Sequence, residues 1–141
     1  MKRKQFAGAP VPSRDALGGE EQEYYDALGP WATERAVSDA LDMSTDSLAL
    51  ERQHHALLGV KFGGSYYFPV HQFNQGRVIN GLALALEALD TGFPAPEMQA
   101  GWFAEQAYED EPVTRWDVLR SGEVSTILQW AKDDAAWASR P

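Results

Sequence analysis

Leu57–Phe73 reads LLGVKFGGSYYFPVHQF, and the reading of this stretch decides the fold. An apolar run ends at Lys61-Phe62, Gly63-Gly64 follows, and Tyr66-Tyr67-Phe68 closes on Pro69. Two β-prone runs flanking a Gly-Gly pair predict a two-residue hairpin, because both central positions can adopt φ > 0 without a Cβ penalty. Pro69 has no N–H to give a ladder, so the second strand is expected to stop there. Helical signals lie on both sides. The hairpin and Pro69–Phe73 are the joint between two helical halves.

Working outward toward the N-terminus, Glu34–Leu41 follows Thr33, an N-capping side chain. Asp42-Met43 then makes a short turn, and Ser44 caps a second helix from Thr45 to about Ala56. Helix, short turn and capped helix form a helix-turn-helix outline. In a DNA-binding version, the first residues of the second helix meet the major groove, which makes Ser44, Thr45, Ser47 and Arg52 the candidate DNA contacts. A purely supporting role for this unit is the competing reading, because residues 33–58 hold five acids against Arg35 and Arg52. Glu20–Leu28 predicts a further helix, stopped by Gly29-Pro30. Residues 1–19 hold Pro10, Pro12 and three glycines with no apolar period, and are expected to be a flexible basic arm.

On the C-terminal side, Asn74–Arg77 reads as a turn and Val78–Asp90 as an amphipathic helix carrying Ile79, Leu82, Leu86 and Leu89 on one face. A short helix is expected from Pro96 to about Gln106, with Met98, Trp102 and Phe103 pointing inward. Ala107–Val113 (AYEDEPV) is expected to be an acidic loop. One helical turn over Thr114–Leu119 and a last helix over Glu123–Ala138 complete the chain. The expected architecture is mostly α. It has a flexible arm (1–19), a helix-turn-helix-like unit (20–60), and a hairpin plus a small helical domain (61–141).

The chain has 141 residues, 44% of them hydrophobic and 11% aromatic, enough for a folded core. It has no cysteine, which excludes disulfides, thiolate zinc sites and thiol nucleophiles. No apolar segment follows the basic Met1–Lys4, and no run approaches a membrane span, so a cytoplasmic protein is expected. The net charge is −9, yet residues 1–14 carry four bases and no acid. An acidic body with a basic tip disfavours broad nonspecific binding to nucleic acid and suits a basic protein partner.

Catalytic signals are absent. His54-His55 cannot share one metal as an i, i+4 pair could, and His71 stands apart. Glu109-Asp110-Glu111 and Asp133-Asp134 have no partnered base, and Gly63-Gly64 lacks the Lys and helix start of a phosphate loop. The reading is a non-enzyme with no cofactor and no metal. Tryptophans are more informative: four of the five fall after residue 101. Some fill the core. Others, notably Trp137 near the end, are candidate interface anchors.

From Thr33 onward the order of features resembles the Xre/MbcA/ParS-type antitoxins. The residues that carry the resemblance are Leu57–Val60, Gly63-Gly64 and above all Tyr67-Phe68-Pro69-Val70-His71-Gln72-Phe73. Gly76-Arg77-Val78, Trp102-Phe103, Asp117-Val118-Leu119 and Gly122-Glu123 then follow in order. The resemblance implies a dimeric antitoxin that neutralises an NAD-consuming RES-domain toxin by covering its active site, and that represses its own operon. The toxin-facing surface is then expected at Trp116, Trp130, Lys132, Trp137 and Arg140. Two alternatives stay open: a transcriptional regulator whose helix-turn-helix and hairpin act as a winged unit, and an immunity protein for a secreted effector. Gln72 and Phe73 are expected to be structural.

Overall fold

The computed structural model describes residues 20–140, with side chains from residue 23 onward; the basic arm lies outside the described residues. The fold is mixed α/β. Seven helices and three small sheets occur among the described residues, so the expected mostly-α architecture has more strand than the sequence declares.

The N-terminal part runs α1 (Glu20–Leu28), β1 (Trp31–Thr33), α2 (Glu34–Leu41), α3 (Thr45–Gln53), β2 (Val60–Phe62) and β3 (Ser65–Pro69). Caps set the helix starts. The Thr33 hydroxyl accepts from the Ala36 N–H and the Ser44 hydroxyl from the Ser47 N–H. Asp42 adopts the left-handed conformation, with φ of 55°, which turns the chain between α2 and α3. Gly63 and Gly64, at φ of 55° and 91°, reverse it between β2 and β3. β3 is the central strand of a three-stranded antiparallel sheet, with β2 on one side and β1 on the other. Trp31-Ala32-Thr33 gives little strand signal in sequence. Pairing with Pro69, Phe68 and Tyr67 makes it one.

A 3₁₀ turn (Val70–Gln72) leads into β4 (Phe73–Asn74), which pairs with β5 (Arg77–Val78). Val78 is therefore a strand residue, and the helix expected from Val78 starts later, as α4 (Leu82–Asp90). Gly81, at φ of 86°, sets that start. The apolar face is as expected: Ile79, Leu82, Leu86 and Leu89 are all buried. α5 (Pro96–Ala104) buries Trp102 and Phe103, but Met98 points outward, half exposed. The stretch read as an acidic loop is a strand pair, β6 (Gln106–Tyr108) with β7 (Glu111–Thr114). α6 (Arg115–Arg120) opens with a reciprocal capping box between Thr114 and Asp117. α7 (Val124–Ala138) closes the fold against α4.

Two apolar clusters result. A small one (Ala32, Val37, Leu48, Leu57, Phe68, Phe73) lies under α2, α3 and the sheet. A larger one runs from Tyr25, Leu28, Trp31 and Phe62 through α4–α7. Trp31 and Phe62 place two sheet strands in the second cluster. The chain boundary expected after residue 60 therefore falls inside β2, with the hairpin sharing both cores.

Candidate functional site

The Pro69–Phe73 joint is held by Gln72, which is fully buried. Its Oε1 accepts from the Leu58 N–H (2.9 Å), and its Nε2 donates to the carbonyls of Leu58 (2.8 Å) and Pro69 (3.0 Å). Phe73 lies in the small core. His71 Nε2 donates to the Gly29 carbonyl at 3.2 Å. Its ring stacks on Trp116, with centroids 6.2 Å apart. Burial lowers the pKa of this imidazole below 6.5; the Gly29 hydrogen bond acts in the opposite direction, Arg120 adds to the lowering and Asp117 opposes it. These groups position the two halves of the fold, Gln72 and Phe73 from the interior and His71 from a half-buried place.

The residues expected to face a toxin separate in space and in burial. Trp116 is a core residue, 1% exposed, stacked on Phe103 at 4.1 Å. It cannot serve as a surface anchor, because the turn it occupies faces α5 and His71. Trp130 is half-buried, edge-on to Tyr108. Lys132 is exposed on α7. Trp137 is 69% exposed, and the Arg140 guanidinium lies 4.6 Å from its ring centroid. Of the five, Trp137 and Arg140 form an exposed pair at the end of α7.

The candidate DNA contacts divide as well. Ser44 and Thr45 are exposed, Ser47 is half-buried, and the first two serines are tied together, Ser44 Oγ donating to Ser47 Oγ at 3.0 Å. Arg52 does not project outward; its guanidinium folds back over the Tyr66 ring, 3.6 Å from the centroid. The outward surface of α3 is instead Thr45, Asp46, Leu50 and Gln53, with Leu50 55% exposed. Leu50 is not among the contacts expected from the sequence. The period of the helix puts Leu48 inward and Leu50 two positions round, which is the signal that could have found it. Exposed Lys61 and Ser65 flank the Gly63–Gly64 turn, and Arg35 on α2 and Arg77 on β5 are exposed.

No family model matches the chain, and no curated protein matches it. The fold is similar to the NMR structure of Rv2175c, with a TM-score of 0.60 and 21% identity over 90% of each chain. At that identity the likeness concerns the fold alone. Among the described residues, no helix is long and apolar enough to cross a membrane.

Proposed function

We propose that the chain is a sequence-specific DNA-binding regulator of the winged helix-turn-helix type. The observation that carries this reading is the pairing of β1 with β3. It gathers α2, α3 and the three-stranded sheet around one small core and leaves the outer face of α3 and the Gly63–Gly64 turn exposed. In this reading α3 enters the major groove and the β2–β3 turn is the wing. The groove-facing side chains are Thr45, Asp46, Leu50 and Gln53. Their chemistry can read base edges: Gln53 toward adenine, Asp46 toward the cytosine amino group, and Leu50 against a thymine methyl. Ser44 keeps the helix start, and Arg52 is a positioning residue.

Few cations support phosphate contacts. Arg35 and Arg77 from the folded part, with Lys2, Arg3, Lys4 and Arg14 of the arm, are the candidate set. Nonspecific affinity is therefore low and specificity depends on base contacts. Fluorescence anisotropy with the duplex upstream of the chain's own gene tests this. Saturable binding that is weakened by Gln53→Ala supports it, and equal binding to any duplex contradicts it.

A second reading follows from the exposed Trp137–Arg140 pair. An aromatic ring this open, with a guanidinium over it, suits a protein interface. We infer from it, together with the resemblance to Xre/MbcA/ParS-type antitoxins, a partner protein of the RES-toxin class that docks on the end of α7. Deleting residues 137–141 is then expected to abolish co-purification with a RES-domain protein encoded nearby. Unchanged capture would exclude this surface. Homodimerisation belongs to either reading and is tested by light scattering.

A further inference from the structure

A cavity of about 390 Å³ has apolar walls that include Leu41, Met43, Leu57 and Val78, and its two charges are Glu51 and Arg77. The walls come from the end of α2, the turn before α3, the segment after α3, and strand β5. Leu57 belongs to the small core. Leu41, Met43 and Val78 pack on that core while only half-buried, so each keeps apolar surface for the cavity. This size, with a mostly apolar lining and few polar groups, is that of a small-molecule site.

The charges are placed by two different elements. Glu51 and Arg52 lie three and four residues beyond the buried Leu48, so they leave α3 on either side of it. Arg52 turns to the Tyr66 ring and Glu51 lines the cavity. Gln75 and Gly76, at φ of 54° and 75°, make the β4–β5 turn that sets Arg77 opposite Asn74 on β5. Although Glu51 and Arg77 line one cavity, no ion pair joins them. Among the described residues, neither side chain has a hydrogen bond or an ion pair with any other group. A ligand with a single charge is attracted by one of them and repelled by the other. A ligand that carries both an ammonium and a carboxylate complements both.

We propose that this cavity binds a small zwitterion of the α-amino-acid type with an aliphatic side chain. Glu51 accepts from its ammonium, Arg77 donates to its carboxylate, and the side chain lies against Leu41, Met43, Leu57 and Val78. The site stands independently of the DNA-binding reading. Arg77 is also a candidate phosphate contact, so the site is tested without duplex.

The test is a ¹H–¹⁵N titration of the full chain with L-leucine at constant ionic strength. Saturable shifts are expected at the amides of Met43, Leu57 and Val78. 4-Methylpentanoate and 3-methylbutylamine, which are leucine without its ammonium and without its carboxylate, are each expected to bind about tenfold more weakly. Glu51→Gln and Arg77→Gln are each expected to weaken leucine binding by about tenfold. Neither side chain is buried, so both variants are expected to keep the wild-type melting temperature. Absence of saturation by L-leucine up to tens of millimolar overturns the proposal. So does equal affinity for leucine and either singly charged analogue, a comparison that needs no variant to fold. Unchanged leucine affinity in folded Glu51→Gln or folded Arg77→Gln overturns it as well.

Discussion

Gln72 shows how one polar side chain can join two halves of a small protein. Its amide meets a buried N–H and two buried carbonyls from the segments flanking the hairpin. Gln72→Leu has similar bulk but leaves those backbone groups unpaired. Each buried unpaired group costs ~1–3 kcal/mol, so a loss of about 3 kcal/mol is expected in urea unfolding, with the m-value unchanged. His71 next to it couples stability to pH. Its folded pKa lies below 6.5, so the unfolded chain takes up a proton at a pH where the folded chain does not. Stability contributed by the neutral imidazole is whole above 6.5 and is lost as pH falls through the window beneath that value. His71→Gln is expected to flatten the fall in melting temperature between about pH 7 and 5.5 relative to wild type. An identical pH profile in the variant would remove His71 as the cause.

At the scale of elements, the turn that follows α4 lies hard against α7. A Cβ at Gly92 would run into the backbone of Ala135, which leaves no flexible side chain to move aside. Gly92→Ala is therefore expected to destabilise by about 2 kcal/mol, as overpacking against rigid backbone does. Thr114→Ala, which removes one half of the capping box of α6, is expected to cost about 1 kcal/mol. Both are read from denaturant midpoints. Helices with strong punctuation are legible in the chain itself: Thr33 and Ser44 mark α2 and α3, and the 3–4 spacing of Ile79, Leu82, Leu86 and Leu89 marks the buried face of α4. Elements made by pairing are not. Trp31–Thr33 becomes β1 because Tyr67–Pro69 lies beside it. AYEDEPV has acids at its centre, but Ala107 and Val113 pack on the large core, the flanking segments pair through their backbones, and the Gln106 amide adds bonds to the carbonyls of Glu109 and Glu111. Val78 obeys a helical period yet pairs with Phe73. Tryptophan position in the sequence says little about depth, since Trp116 is interior and Trp137 is open. The α3 site was half visible: its capped start is a local signal, whereas the fold-back of Arg52 onto Tyr66 is a tertiary one.

For the whole molecule, the distribution of charge decides what it can bind. The folded part is acidic, and exposed cations near the α3 face are few, while the arm concentrates Lys2, Arg3 and Lys4. Removing residues 1–19 takes away four potential phosphate contacts, Lys2, Arg3, Lys4 and Arg14. Each neutralised phosphate contributes about 0.9 to the slope of log K against log salt, so the slope is expected to fall by up to ~3.6 on deletion. Base-specific discrimination, which the proposal assigns to α3, is expected to survive. The account rests on the outer face of α3 reading DNA, and selection from a random duplex pool followed by affinity measurement at fixed salt tests that claim most directly. The predicted result is an enriched site bound at least ~10³-fold more tightly than a scrambled duplex, with Gln53→Ala lowering that ratio by about tenfold or more. No enriched sequence, or equal affinity for selected and scrambled duplexes, would contradict it.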